Sequence, residues 1–217
     1  MLLKFYLVVL VVIAVSVNVS AQVYESIENT AVQYFINLSN KSSDADNDLI
    51  ELEDLLFQSY DKAELESKFQ TSINQFDSLI NHFTKYESSI KNISSDSASV
   101  LFNQWYLHFS NTFYNYVDEK FFSTNKTKIL FFSASMSCHC TLEMCKKQTI
   151  EILNLANEKS LDYWIVDSFE HNELQIKYET YFAPSLVLFD ANNNVLHKIE
   201  YDEEMLIKLS QFLSNKI

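Results

Sequence analysis

The hydrophobic pattern of this chain predicts an all-α segment followed by an α/β domain in the order β-α-β-α-β-β-α. Two observations carry that reading. From about Tyr24 to Phe122 apolar residues recur at steps of three and four, and after Thr124 short apolar runs of strand length alternate with helical stretches. A third observation points to chemistry: Cys138, Cys140 and Cys145, the only cysteines, all fall in the stretch SASMSCHCTLEMCKK between the first predicted strand and the helix that follows.

The chain opens MLLKFYLVVLVVIAVSVNVSAQ, with Lys4 as a short basic region, an apolar run from Phe5 to Val17, and small residues up to Ala21. This pattern reads as a secretory signal peptide over residues 1–21, since the apolar run is shorter than the roughly 20 residues a spanning helix needs. No later segment is apolar enough to span a bilayer, so an exported protein, periplasmic or secreted, without a membrane span after cleavage is expected. The net charge of −13 over 217 residues, with no cluster of Lys and Arg, argues against a nucleic-acid partner. Exported thiols meet an oxidising environment and usually pair, so an odd number leaves one buried, unpaired or metal-bound. With no glycine in the sequence, turns needing positive φ are expected to use Asn or Asp, as in 190-DANNNV-195.

Residues 22–123 are predicted to form a domain of about four helices. Ile27, Ala31, Phe35 and Leu38 mark the first, and Leu49, Leu52 and Leu56 the second. Leu65, Phe69, Ile73, Phe76, Ile80 and Phe83 trace one long amphipathic third helix. The fourth begins after the capping residues 94-SSDS-97 and carries Leu101, Trp105, Phe109, Phe113 and Tyr116 on one stripe, which reads as core packing or as a contact surface for a protein partner. The loop 39-SNKSSDADND-48 separates the first two.

Residues 124–217 contain the α/β pattern. Lys128 to Phe132 suits a buried strand and leads through the cysteine stretch into a helix ending near Lys159. Asp162 to Asp167 is a second strand, 172–181 a helix, and Ser185 to Asp190 a third strand. Val195 to Glu200 is a fourth strand, joined to the third by the Asn-rich turn as a hairpin, and Asp202 to Leu213 is a closing amphipathic helix. The first two strands, linked through a helix, should be parallel and the last two antiparallel.

In this order of elements, residues 126–217 resemble the thioredoxin fold. The cues are the strand KILFFSAS, a cysteine-bearing turn into a long helix, the strand DYWIVD, a helix ending KYETYFAPS, the strands LVLFD and VLHKIE, and the final helix. The resemblance implies a cis-proline at Pro184, in 183-APS-185 before the third strand, facing active-site cysteines. It also implies thiol-disulfide exchange with protein thiols or disulfides, with no cofactor. The chain departs from the family where C-H-C, four residues and a third Cys replace two cysteines separated by two residues. Met136-Ser137 stand where a tryptophan is usual, and the first strand offers no acidic residue.

A thiol at a strand-to-helix turn lies near backbone N–H groups and the positive end of the helix dipole, which lower its pKa. Leu142, Cys145, Thr149, Ile152 and Ala156 share one helix face, which places Cys145 against the sheet. Cys138 is therefore the expected nucleophile, Cys140 its resolving partner through a strained and readily reduced ring, and Cys145 a reserve thiol or a core residue. Counting from the strand favours Cys138 as the first cysteine of the motif; counting by the helix face moves that slot toward His139 and Cys140. His139 reads as a cation stabilising a thiolate, as a metal ligand, or as an exposed spacer.

Three functions compete at this level. One is an exported thiol-disulfide oxidoreductase centred on Cys138. Another is a copper- or zinc-binding protein using Cys138, His139, Cys140 and Cys145, whose soft thiolates suit Cu(I) and Zn(II). The last is a redox-inactive adaptor whose helical half binds a partner.

Overall fold

The computed structural model describes residues 24–58 and 60–216; the predicted signal segment lies outside them. Among the described residues six helices, rather than four, precede the sheet. They are α1 over residues 24–39, α2 Ala45–Phe57, α3 Lys62–Phe69, α4 Ile73–Ile90, α5 Ser95–Thr112 and α6 Tyr114–Ser123.

Both extra helices come from breaks that the apolar spacing bridges. The predicted third helix is interrupted at Gln70, which takes φ 52°. Behind it Thr71 is buried and donates from its hydroxyl to the carbonyl of Thr112 at 2.7 Å. Ser72 then starts α4 with a capping box, its side chain and that of Gln75 each satisfying the other's backbone N–H. The predicted fourth helix breaks at Phe113, whose ring is buried against Tyr24, Phe69, Phe76 and Phe109. Beyond it α6 turns so that Tyr114 packs on Trp164 of the sheet. Apolar periodicity survives both breaks because the same core is being lined on either side, so spacing alone does not see them.

The α/β part follows the predicted order. It comprises β1 Lys128–Ser133, α7 His139–Lys159, β2 Asp162–Asp167, α8 Asn172–Tyr178, β3 Ser185–Phe189, β4 Val195–Glu200 and α9 Met205–Lys216. The sheet order is β2-β1-β3-β4, with β1 parallel to β2 and antiparallel to β3, and β3 antiparallel to β4. All six residues of β1 are buried, as expected of a central strand covered on both faces.

The free side of β2 is closed by α5 rather than by another strand. Ser110 of α5 donates to the carbonyl of Ile165 at 2.6 Å, and Trp105, Tyr106 and Phe109 of the same helix are buried. The aromatic stripe is thus core, and the helical segment and the sheet bury one continuous apolar cluster running from Ile27 and Phe35 to Leu209 and Leu213. Covering an exposed strand edge in this way also removes a site for unwanted pairing.

The glycine-free turns depart from expectation. Asn193 does take φ 65° in the β3–β4 turn, where the Asp190 carboxylate accepts from the backbone N–H of Asn192 and of Asn194, each at 2.8 Å. Positive φ also falls on Lys41, Gln70, Ser160, Glu179 and Tyr201. Ser160 and Glu179 close α7 and α8, and their N–H groups satisfy carbonyls of the last turn, which offsets the roughly 1 kcal/mol cost of a left-handed non-glycine residue. Helix capping, not the choice of Asn, decides Ser160 and Glu179.

One buried cation ties the two parts together. Lys128, wholly buried at the start of β1, donates from Nζ to the carbonyls of Phe121 and Thr124 at 3.0 and 2.7 Å and to Asn193 Oδ1 at 2.7 Å. It satisfies the C-terminal end of α6 while pinning the hairpin turn.

Candidate functional site at the start of helix α7

Parallel pairing of β1 and β2 puts the segments after Ser133 and Asp167 at one end of the sheet, and the antiparallel β3 brings its first residue, Ser185, opposite Phe132 at the same end. Three connections therefore meet there: β1 to α7, β2 to α8, and α8 to β3. The first carries the cysteines and the third carries Pro184. Pro184 is buried, the Ala183–Pro184 peptide is cis, and the Pro184 carbonyl accepts from Tyr201 N–H at 2.8 Å.

Cys138 occupies the N-cap of α7 with extended backbone, φ −64° and ψ 155°. Its thiol is exposed, 2.7 Å from the sulfur of Cys140 and 3.2 Å from the hydroxyl of Thr141. The contact with Cys140, then the Thr141 hydroxyl and backbone N–H, and the Ser137 hydroxyl together pull the Cys138 pKa down from 9.0 to about 6. All of these favour the charged form, and the helix N-terminus adds its partial positive charge.

Cys145 behaves in the opposite way. It lies two turns into α7 with no exposed surface, beside Ser133 and Ala134 of β1 and its exit, and burial pushes its thiol up to about 11. Thr149, Ile152 and Ala156 of the predicted inward face are likewise buried, while Leu142 is half-buried. His139 projects into solvent with its side chain 84% exposed and its Nε2 3.9 Å from Glu143.

The structure thus brings Cys138 and Cys140 together and separates Cys145 from them. Among the described residues no three His, Cys, Asp or Glu side chains converge as a metal site would require. The four-residue set Cys138, His139, Cys140 and Cys145 is not assembled, because α7 turns Cys145 toward the sheet while His139 faces outward.

Residues other than the cysteines also shape this end of the sheet. Within the motif, the Thr141 hydroxyl lies 3.2 Å from the Cys138 sulfur. On the neighbouring strand, buried Asp167, paired with Ser133 in register, accepts from the backbone N–H of Ser135 and Phe169 at 3.2 and 3.0 Å. Aligning the C-terminal ends of the two parallel predicted strands would have found it. Met136, Phe169, Tyr181 and Phe182, drawn from the three connections, are exposed at this end of the sheet.

No protein-family model matches the chain, and no curated protein matches it. Among solved structures it is similar to Deadhead, a germline-specific thioredoxin of Drosophila melanogaster, at 20% identity over 49% of this chain and 93% of that one, with a TM-score of 0.38. It is also similar to Fasciola hepatica thioredoxin, at 15% identity over 50% of this chain and 94% of that one, TM-score 0.37. The oxidised mitochondrial thioredoxin 3 of Saccharomyces cerevisiae matches at 16% identity over 43% and 83%, TM-score 0.35. Such likenesses carry no residue role to this chain. With its strand order β2-β1-β3-β4, the parallel β1–α7–β2 unit, the β3–β4 hairpin and the closing helix α9, the part of the chain from Lys128 to Lys216 has a thioredoxin-like fold, preceded by a helical segment.

Proposed function

We propose that this protein is an exported thiol-disulfide oxidoreductase acting on partner proteins through Cys138. The observation that carries the reading is the contrast between an exposed Cys138, lowered to about 6 beside a second thiol at 2.7 Å, and the inert buried Cys145. At pH 7 a thiol with that pKa is roughly nine-tenths thiolate, the form that attacks disulfides. The exposed Met136, Phe169, Tyr181 and Phe182 supply apolar and aromatic surface of the kind protein partners bury. Export rests on the first 21 residues of the sequence.

Written as reduction of a partner, the Cys138 thiolate attacks one sulfur of the partner's disulfide. A Cys138–partner disulfide forms and the other partner sulfur leaves as thiolate, taking a proton from solvent. Cys140, having lost its proton, then attacks Cys138 Sγ; the mixed disulfide breaks, the second partner thiolate leaves, and a Cys138–Cys140 disulfide remains. Two electrons have passed to the partner, and a dithiol or glutathione-type reductant must restore the pair. The reverse sequence oxidises a partner dithiol.

Replacing Cys138 by Ser is expected to abolish exchange with insulin or glutathione disulfide, while Cys140→Ser should accumulate the mixed disulfide at Cys138. Undiminished exchange by Cys138→Ser would overturn the proposal. Stoichiometric copper or zinc held by the thiols of the purified protein would favour a metal-binding role instead.

A further inference from the structure

Helix α5, which lies outside the thioredoxin-like part, reaches the segment that delivers Cys138. Gln104 donates from Nε2 to the carbonyl of Ser135 at 2.9 Å, and the adjacent Asn103, 1% exposed, donates from Nδ2 to Ser133 Oγ at 3.2 Å. Three further contacts hold Ser133 and Ser135. Ser133 Oγ meets Thr149 Oγ1 of α7 at 3.4 Å, Ser133 carbonyl accepts from Ser168 N–H at 2.8 Å, and Ser135 N–H donates to Asp167 at 3.2 Å.

Both backbone groups of Ser135 are therefore claimed, the N–H by the sheet and the carbonyl by the helical segment. Only Met136 and Ser137 separate this clamp from the thiol, and both are exposed. The contacts that favour thiolate at Cys138 come first from Cys140 and then from Thr141 and Ser137, so they depend on how residues 135–138 enter α7. The connection between β1 and α7 has no glycine, the residue that would most freely absorb a turn at Ser135 before it reached Cys138.

We infer that Gln104, supported by Asn103, is a positioning residue for the Cys138 thiol, so that the helical segment is a working part of the redox site rather than an appended domain. The inference rests on the proposed role of Cys138. Losing the Gln104 donor frees the Ser135 carbonyl to turn, lets residues 136–138 sample several entries to α7, and averages away the contacts that favour thiolate.

The test is Gln104→Met, which keeps the side chain's size and removes its donor, in the full-length protein. Iodoacetamide alkylation, mapped to Cys138 by peptide mass, is followed from pH 4.5 to 9. The expected result is a rise in the apparent Cys138 pKa and an alkylation rate at pH 6 lower by about threefold or more. Asp96→Ala, in the first turn of the same helix, removes an exposed pair with Lys41 and serves as the control for lost helix stability alone. An unchanged Cys138 profile in Gln104→Met, or an equal change in Asp96→Ala, would overturn the inference. Should Gln104→Met fail to fold, Asn103→Ser, which shortens the neighbouring donor, takes its place: a raised Cys138 pKa supports the inference and an unchanged profile overturns it. Failure of the redox reading itself is distinguishable, because it would show as full exchange activity in Cys138→Ser.

Discussion

The two ends of the sheet treat acids in opposite ways. Where β1 and β2 finish, the Cys138 thiol is exposed and surrounded by donors, and its pKa falls to about 6. Where they begin, the half-buried carboxyl of Glu28 on α1 packs among Tyr24, Tyr106 and Tyr163, and burial pushes it from 4.5 up to about 7. Lys120 and the hydroxyls of Tyr24 and Tyr106 pull in the other direction without overcoming that burial. Of these two acids, hydrogen bonds outweigh burial only at the exposed one. One end suits nucleophilic chemistry, and the other fastens the helical segment to the strand edge.

Exchange activity gives the largest expected contrast. Cys138→Ser should reduce it by about a hundredfold or more, whereas a change at the buried thiol should leave it within about twofold. A comparable loss from Cys145→Ala would place the chemistry inside the helix and break the comparison.

The opposite end should reveal itself in stability. A carboxyl whose folded pKa is raised is favoured in its protonated form, so its contribution is full below about pH 4.5 and is lost as pH rises to about 7. The full shift would correspond to about 3 kcal/mol; Glu28 is only half-buried, so about 2 kcal/mol is expected across that window. Glu28→Gln carries no proton to lose there. Urea unfolding at pH 4.5 and 7.5 should show the decline in the unaltered protein and a smaller one in the variant, and identical slopes would contradict the assignment.

Two smaller effects sharpen the contrast from the thiol end. Cys145→Ala removes a sulfur from a closed site and should cost about 1–2 kcal/mol by thermal or urea unfolding. Thr141→Val keeps the shape and loses the hydroxyl 3.2 Å from Cys138, so the Cys138 pKa should rise and its alkylation near pH 6 slow by about twofold to threefold. No change on losing that hydroxyl would leave Cys140 and the helix N-terminus as the source of the shift.

Much of the α/β part was legible in the sequence because each strand there is a short apolar run with clear punctuation. Asp162–Asp167 and Val195–Glu200 are found at the predicted bounds, and α7 ends at the predicted Lys159. The helical part was less legible. Gln70 and Phe113 break helices while the apolar spacing continues through them, and nothing local announces that α5 will lie along β2. At the site, the inward turn of Cys145 followed from helical periodicity. Asp167, Asn103 and Gln104 act through tertiary pairing, so their relation to the cysteines appears only once the strands are in register and α5 is docked.

The most direct test of the central claim is the alkylation rate of each cysteine as a function of pH in the reduced, folded protein, with sites resolved by peptide mass. Cys138 should react with a midpoint near pH 6, and Cys145 should stay unmodified until the protein is unfolded. A Cys138 midpoint at the ordinary thiol value of about 8.5, or modification of Cys145 in the folded state at a similar rate, would contradict the account.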